Sequence, residues 1–255
     1  MFGVVPRNLW AKVCPPDDQN RIRMNMNCLF IEGAGERILI DTGIGEKWSD
    51  KHRAMYGIDR ARSFDESLNA IAGVRSSEIT VVINTHLHFD HAGGNSVLNE
   101  AGEAVPAFPN ARYLVARGEY EHAEAPNERD RASYFPQNWR PVKESGQLEL
   151  KDDCYEVVPG LTMQTYPGHN RSMQCPRLER AGQTLFGFAD LIPTRAHVSI
   201  PWVMGYDLYP VETVAAKKSL VPQAAREGWF CLFYHDAEQP LGKIVEADAK
   251  FRVVH

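Results

Sequence analysis

The chain is short of the features that would commit it to a disulfide scaffold, a membrane or a nucleic acid. Its 255 residues include only five cysteines, Cys14, Cys28, Cys154, Cys175 and Cys231, odd in number and nowhere spaced Cys-x-x-Cys. They read as reduced thiols rather than as a disulfide framework. No apolar run approaches the ~20 residues that a membrane span needs. The first residues, Met1 to Trp10, lack a basic start followed by a continuous apolar stretch, because Pro6, Arg7 and Asn8 interrupt them. No secretory signal is read there, and a cytoplasmic location is expected. No cluster of lysines and arginines exceeds a pair, and 28 basic against 33 acidic residues leave a net charge of −5. The basic footprint of a nucleic-acid binder is missing. The expected partner is a small-molecule substrate, with no nucleic acid and no membrane; a homodimer is left open. No Gly/Ser-rich linker or short repeat marks a boundary, so residues 1–255 are expected to form one domain.

What is present is the ordinary balance of a globular chain, 44% hydrophobic and 24% charged residues, which excludes a disordered or fibrous protein. Strand-like runs rich in Val, Ile, Leu, Phe and Tyr fall at Ile22–Glu32, Arg37–Ile40, Thr80–Thr85, Ala111–Val115, Cys154–Val158, Leu161–Tyr166, Thr184–Ala189 and Trp229–Tyr234. Helices are expected at Asp65–Ala72 after a Ser63 cap, at Gly118–Ala125, and at Val211–Glu227 between Pro210 and Gly228. Pro222 is expected to kink the last of these. The mixture predicts an α/β protein whose sheets are covered by helices.

Five of the strands run into a residue able to bind a metal: Asp41, His86, His169, Asp190 and His235. A buried strand ends where the chain leaves the core, and that edge is where α/β folds collect functional groups. One Asp after a strand is an ordinary turn residue; five coincidences point to one site. The sharpest motif is His86-Leu-His88-Phe-Asp90-His91, four ligands within six residues. His86 and His88 lie two apart on an extended segment, so their rings face the same way. Imidazole and carboxylate suit Zn²⁺, and also iron or manganese. Gly93-Gly94 then allows a tight turn beneath them.

These motifs resemble those of the metallo-β-lactamase fold superfamily. Its His-x-His-x-Asp-His signature is matched by His86, His88, Asp90 and His91. Asp41-Thr42-Gly43 is similar to its first motif, Pro167-Gly168-His169 to its Pro-Gly-His, Asp190 to its bridging Asp, and His235 to its last His. The resemblance implies a four-layer αββα sandwich with two metals. His86, His88, His169 and Asp190 would hold one, and Asp90, His91, His235 and the same Asp190 the other. Asp41 is then expected to support a ligand ring from behind. Two divalent ions, most simply zinc, that share a water bring its pKa from ~15.7 to near neutrality, so hydrolysis by a bridging hydroxide is the implied reaction. Asp90, beside that nucleophile, is the expected catalytic group.

Within the superfamily, Phe2–Trp10, Asn84–Asn95 and Ala189–His197 look most like a bacterial branch of N-acyl-homoserine lactonases and methyl parathion hydrolase-like enzymes. The chain departs from that branch at Asn170-Arg171-Ser172, and it has no tyrosine within a few residues after Asp190. A lactone, a carboxylic ester or a phosphotriester is therefore the expected substrate. Aromatic residues in Trp48–Tyr56, Tyr134–Trp139 and Arg195–Tyr209 are candidates for pocket walls. His197 is a candidate substrate contact, while His52, His122 and His255 are expected on the surface or in packing. Two other readings share the fold. A mononuclear-iron oxidoreductase of the persulfide dioxygenase kind is disfavoured by the presence of Asp90, His91 and His235. A signal-binding effector hydrolase is the other.

Overall fold

A computed structural model describes all residues from Met1 to His255. The chain divides into two compact units, one of Cys28–Lys151 and one joining Met1–Asn27 to Asp152–His255. Met1–Asn27 carries α1 (Arg7–Trp10). The unit Cys28–Lys151 carries β1 (Leu29–Gly33), β2 (Glu36–Ile40), α2 (Asp50–Tyr56), α3 (Phe64–Ala72), β3 (Val81–Ile83), α4 (Phe89–Ala92), β4 (Ser96–Leu98), β5 (Ala104–Pro106), β6 (Arg112–Ala116), α5 (Arg117–Glu124), α6 (Arg140–Glu144) and β7 (Leu148–Lys151). Then follow β8 (Cys154–Val158), β9 (Leu161–Thr165), β10 (Gln174–Arg180), β11 (Gln183–Gly187), α7 (Pro210–Glu227), β12 (Phe230–Leu232), β13 (Leu241–Ala247) and β14 (Lys250–Val254). No helix is long and apolar enough to cross a membrane.

The Cys28–Lys151 unit is built on a five-stranded sheet in the order β1-β2-β3-β6-β7. β3 is buried along its whole length, as are Ile38, Leu39 and Ile40 of β2. Such uninterrupted apolar runs suit parallel interior strands, and β2, β3, β6 and β7 do pair in parallel. Leu39, Ile79, Val82, Phe108 and Tyr113 form one core cluster here, and Leu87, Val115, Tyr134 and Trp139 another. α3 begins with a capping box: Ser63 accepts the Glu66 N–H, and the Glu66 carboxylate accepts the Ser63 N–H.

The other unit holds a seven-stranded sheet in the order β14-β13-β12-β11-β10-β9-β8. Phe186, Phe188, Val221, Trp229 and Phe233 form its core. β11 and β12 pair in parallel, and β9 runs the same way because two antiparallel steps through β10 separate it from β11. Parallel direction puts the C-terminal ends of β9, β11 and β12 on one edge.

One expectation needs correction, and one strand was not foreseen. The strand expected at Ile22–Glu32 starts only at Leu29, because Asn25 and Asn27 direct their backbone N–H groups to the carbonyls of His235 and Tyr234. β10 escapes a sequence reading because Pro176 interrupts it. The fold accommodates Pro176 since pairing with β11 begins only at Arg177, and Gly187 leaves room where a Cβ would sit 2.7 Å from the proline ring. α7 continues through Pro222 to Gly228, whose φ of 67° ends it. The carbonyl that loses its partner belongs to Lys218, on the exposed side.

Candidate metal centre

The candidate donors stand just past strand ends, as the sequence suggests. Asp41 directly follows β2, and His86 lies just past β3; His169, Asp190 and His235 lie just past β9, β11 and β12. Because β2 and β3 are parallel neighbours, Asp41 and His86 leave the sheet on one edge.

In the Cys28–Lys151 unit, His86 Nε2 and His88 Nδ1 converge to 3.1 Å. His86 and His91 rings lie with centroids 4.0 Å apart. Asp41 supports this group through both oxygens: Oδ1 accepts the Thr85 N–H at 2.8 Å, while Oδ2 accepts the Thr85 hydroxyl at 2.8 Å and His91 Nδ1 at 3.0 Å. It does so from a left-handed backbone, φ 59°, unusual for a residue other than glycine. The Thr85 hydroxyl oxygen also lies 3.1 Å from His86 Nδ1. Asp90 sits half-buried in α4 between buried His88 and His91. The turn below is held by close backbone packing, for a Cβ on Gly94 would lie 2.3 Å from the Thr42 carbonyl oxygen. Lys47 Nζ donates to the carbonyls of Gly93 and Ser96, each at 2.6 Å. Glu119, buried, accepts the Leu87 N–H at 2.8 Å and the Tyr134 hydroxyl at 3.0 Å, and the Tyr134 ring meets His88 edge-on.

The second unit contributes a smaller group with the same logic. The Asp190 carboxylate reaches two imidazoles, Oδ2 to His169 Nε2 at 3.4 Å and Oδ1 to His235 Nε2 at 3.1 Å. The outward nitrogens are anchored too: His169 Nδ1 on Asp207 at 3.2 Å, His235 Nδ1 on the Asn25 carbonyl at 3.0 Å. A ring whose Nδ1–H is held by an oxygen presents Nε2 as a lone pair, the form a metal needs. Buried imidazoles and carboxylates with this anchoring fit divalent transition metals, zinc included.

Sequence reasoning singled out the candidate donors and Asp41 but not Thr85, Glu119, Asp207 or Asn25. Asp207, just before α7, looks like a helix-capping residue in sequence, yet the helix starts at Pro210 with no side-chain cap. His197 is corrected. It is fully buried, with Nδ1 on the Thr194 hydroxyl at 2.8 Å, Nε2 3.4 Å from the Met1 carbonyl, and its ring stacked on Phe2. Burial, followed by the nearby Lys217, lowers its pKa to about 3. It is a neutral packing group rather than a substrate contact. Of the proposed walls, Trp48 and Tyr56 join Phe89 and Phe135 in one aromatic cluster with centroids 5.3 to 5.7 Å apart. Trp139 is core, and Trp202 packs edge-on against Phe2.

Such a fold, with imidazole and carboxylate donors collected at strand ends, defines a metal-dependent hydrolase. The chain belongs to the metallo-β-lactamase superfamily, whose family model matches residues 22–233. An N-acyl homoserine lactonase from a Bacillus species is 27% identical over 227 residues, covering 84% of this chain and 82% of that protein. A crystal structure from Staphylococcus aureus, described as a probable metal-dependent hydrolase, is 31% identical with a TM-score of 0.90, covering 100% of this chain and 89% of that one. An N-acyl homoserine lactone hydrolase with product bound at its catalytic metal centre is 25% identical, with a TM-score of 0.66, covering 85% of this chain and 83% of that one.

Proposed function

We propose that the two groups of donors make one dinuclear centre, and that the protein uses it to hydrolyse a small lactone, carboxylic ester or phosphotriester. On the family's ligand pattern, His86, His88, His169 and Asp190 would hold one ion, and Asp90, His91, His235 and Asp190 the other. The observation that carries this reading is the anchoring of Nδ1 on His91, His169 and His235, which leaves each Nε2 for a cation. Zinc is the metal the donor set favours. Bound divalent ions supply an activated water and polarise the oxygen of the electrophile.

The protein's own part is to orient and to move protons. Asp90, held in α4 between two ligands, orients the attacking water and carries its proton to the leaving group. The aromatic cluster of Trp48, Tyr56, Phe89 and Phe135 would seat an acyl or aryl group, since Phe89 directly adjoins both His88 and Asp90. The lactonase relatives make a lactone the first substrate to test. Elemental analysis of protein purified without chelator should give about two divalent ions per chain. A panel of lactones, aryl esters and phosphotriesters should then give metal-dependent turnover of at least one class. Protein without bound metal, inert toward the whole panel after zinc is added back, would overturn the reading.

A further inference from the structure

The loop that carries His169 is fastened to the segment Asp207–Thr213, at the start of α7. The backbone contributes first: Leu208 N–H donates to the His169 carbonyl and Tyr209 N–H to the Gly168 carbonyl, both at 2.9 Å. Gly168 is required by this closeness, because a Cβ there would lie 2.5 Å from the Thr213 hydroxyl oxygen. On the outside, Arg171 Nη1 donates to both oxygens of Glu212 at 3.0 Å, and the guanidinium lies over the Tyr209 ring. That pair is exposed and adds little. The inner connection is different. Asp207 and Thr213 are both buried to 1% exposure. Asp207 Oδ1 faces His169 Nδ1 at 3.2 Å, and Oδ2 accepts the Thr213 hydroxyl at 3.0 Å.

The geometry points to Asp207 as a positioning residue that holds His169 in its Nδ1–H tautomer, with Thr213 aiming the carboxylate. The physical reason lies in what faces the other ring nitrogen. Nε2 of His169 is 3.4 Å from Asp190 Oδ2, so a ring released from Asp207 can donate an Nε2–H to that carboxylate. That tautomer satisfies the hydrogen bond and blocks the nitrogen that would ligate. Asp207 therefore removes a competing state at the third histidine. Its link to metal binding rests on the dinuclear reading above; its effect on the tautomer does not.

The test uses metal-free full-length protein labelled with ¹⁵N-histidine, with the His169 signals assigned by their loss in His169→Gln. Two-bond ¹⁵N–¹H correlations should show Nδ1–H for His169 in the wild type and a shift toward Nε2–H in Asp207→Ala. Asp207→Asn keeps an oxygen acceptor and should retain the wild-type tautomer, so the tautomer is expected to follow the acceptor. In chelator competition with zinc, Asp207→Ala should weaken one of two binding events ~10–100-fold. Thr213→Val should weaken it ~2–10-fold, the range expected for one lost hydrogen bond. Should Asp207→Ala fail to fold, the Asn and Val variants carry both readouts, and wild-type values in Thr213→Val would then count against the proposal. A wild-type His169 already protonated on Nε2, or an unchanged tautomer in a folded Asp207→Ala, would overturn it. A wild type that binds fewer than two ions while the tautomer still follows Asp207 would overturn the dinuclear reading and leave this inference standing.

Discussion

Asp41 illustrates how a single side chain can be over-determined. A left-handed backbone costs a non-glycine residue about 1 kcal/mol or more, and it persists only when its surroundings hold it. Here three hydrogen bonds, two from Thr85 and one from His91, do so. Asp41→Asn keeps the size but loses the charge that favours a donating His91 Nδ1. The expected outcome is a loss of ~10–100-fold in metal affinity, read by chelator competition, with the fold intact. Total loss of metal would mean that Asp41 is a ligand. His197 gives a second prediction at this scale. In the folded protein it stays neutral down to about pH 3, mainly through burial, whereas the unfolded chain takes up that proton near pH 6.5. Between those values the unfolded state binds more protons, so stability falls as pH falls; the slope fades over about one unit above pH 6.5. From pH 6.5 to 5 the loss is about 2 kcal/mol. In chelator-treated protein, His197→Gln should flatten the acid limb of unfolding free energy by that amount. Parallel limbs would show that His197 is charged inside the fold.

Among the elements, the short ligand helix α4 depends on its neighbours rather than on its own propensity. Four residues make too little helix to stand alone. The turn stays in place because Gly45, Gly93 and Gly94 let two backbone segments touch, and because Lys47 reaches under the turn to two carbonyls. Burial lowers the Lys47 pKa to about 8, and the amine keeps N–H donors in either charge state. Lys47→Met leaves the Gly93 and Ser96 carbonyls without that partner, at a cost of about 1–3 kcal/mol for each that water cannot reach. Chemical denaturation should show a loss in this range, and zinc affinity should fall with it. Unchanged stability would mean that water replaces the amine. Sequence signals at this scale were uneven. The Ser63 capping box and the Pro210 and Gly228 boundaries of α7 were legible because they are local. β10 was not, because its proline is tolerated only through the register of a neighbouring strand and the absence of a side chain at Gly187.

Across the whole chain, substrate preference follows from what the site lacks as much as from what it holds. Leu191 to Arg195, just after Asp190, contains no tyrosine, and His197 is sealed in the core. The proposed centre then offers Asp90 as the proton carrier, and a metal-bound carboxylate is a poor acid, so protonation of a basic leaving group is expected to be weak. A general acid is worth ~10²–10⁴-fold, enough to reorder substrates. Aryl esters and phosphotriesters, whose leaving groups need little protonation, should be turned over faster than alkyl esters with the same acyl or phosphoryl part. A plot of log kcat/KM against leaving-group pKa should be steep. A flat plot would mean that proton donation is intact and comes from a group other than the missing tyrosine.

What the sequence offered by itself was the list of candidate donors and its order: Asp41, His86, His88, Asp90, His91, His169, Asp190 and His235, each just past an apolar strand or within a six-residue motif. Burial periodicity and ligand spacing are local properties, so they can be read along the chain. The tertiary structure alone decided which oxygen faces Nδ1 of His169 and of His235. That choice is made by partners far away in sequence, Asp207 for His169 at a separation of 38 residues and the Asn25 carbonyl for His235 at 210. It also decided that His197, a histidine of the same composition and neighbourhood as the ligands, is sealed beneath Phe2. No local pattern distinguishes a ligand from a packing histidine, because the difference lies in which atoms close around the ring.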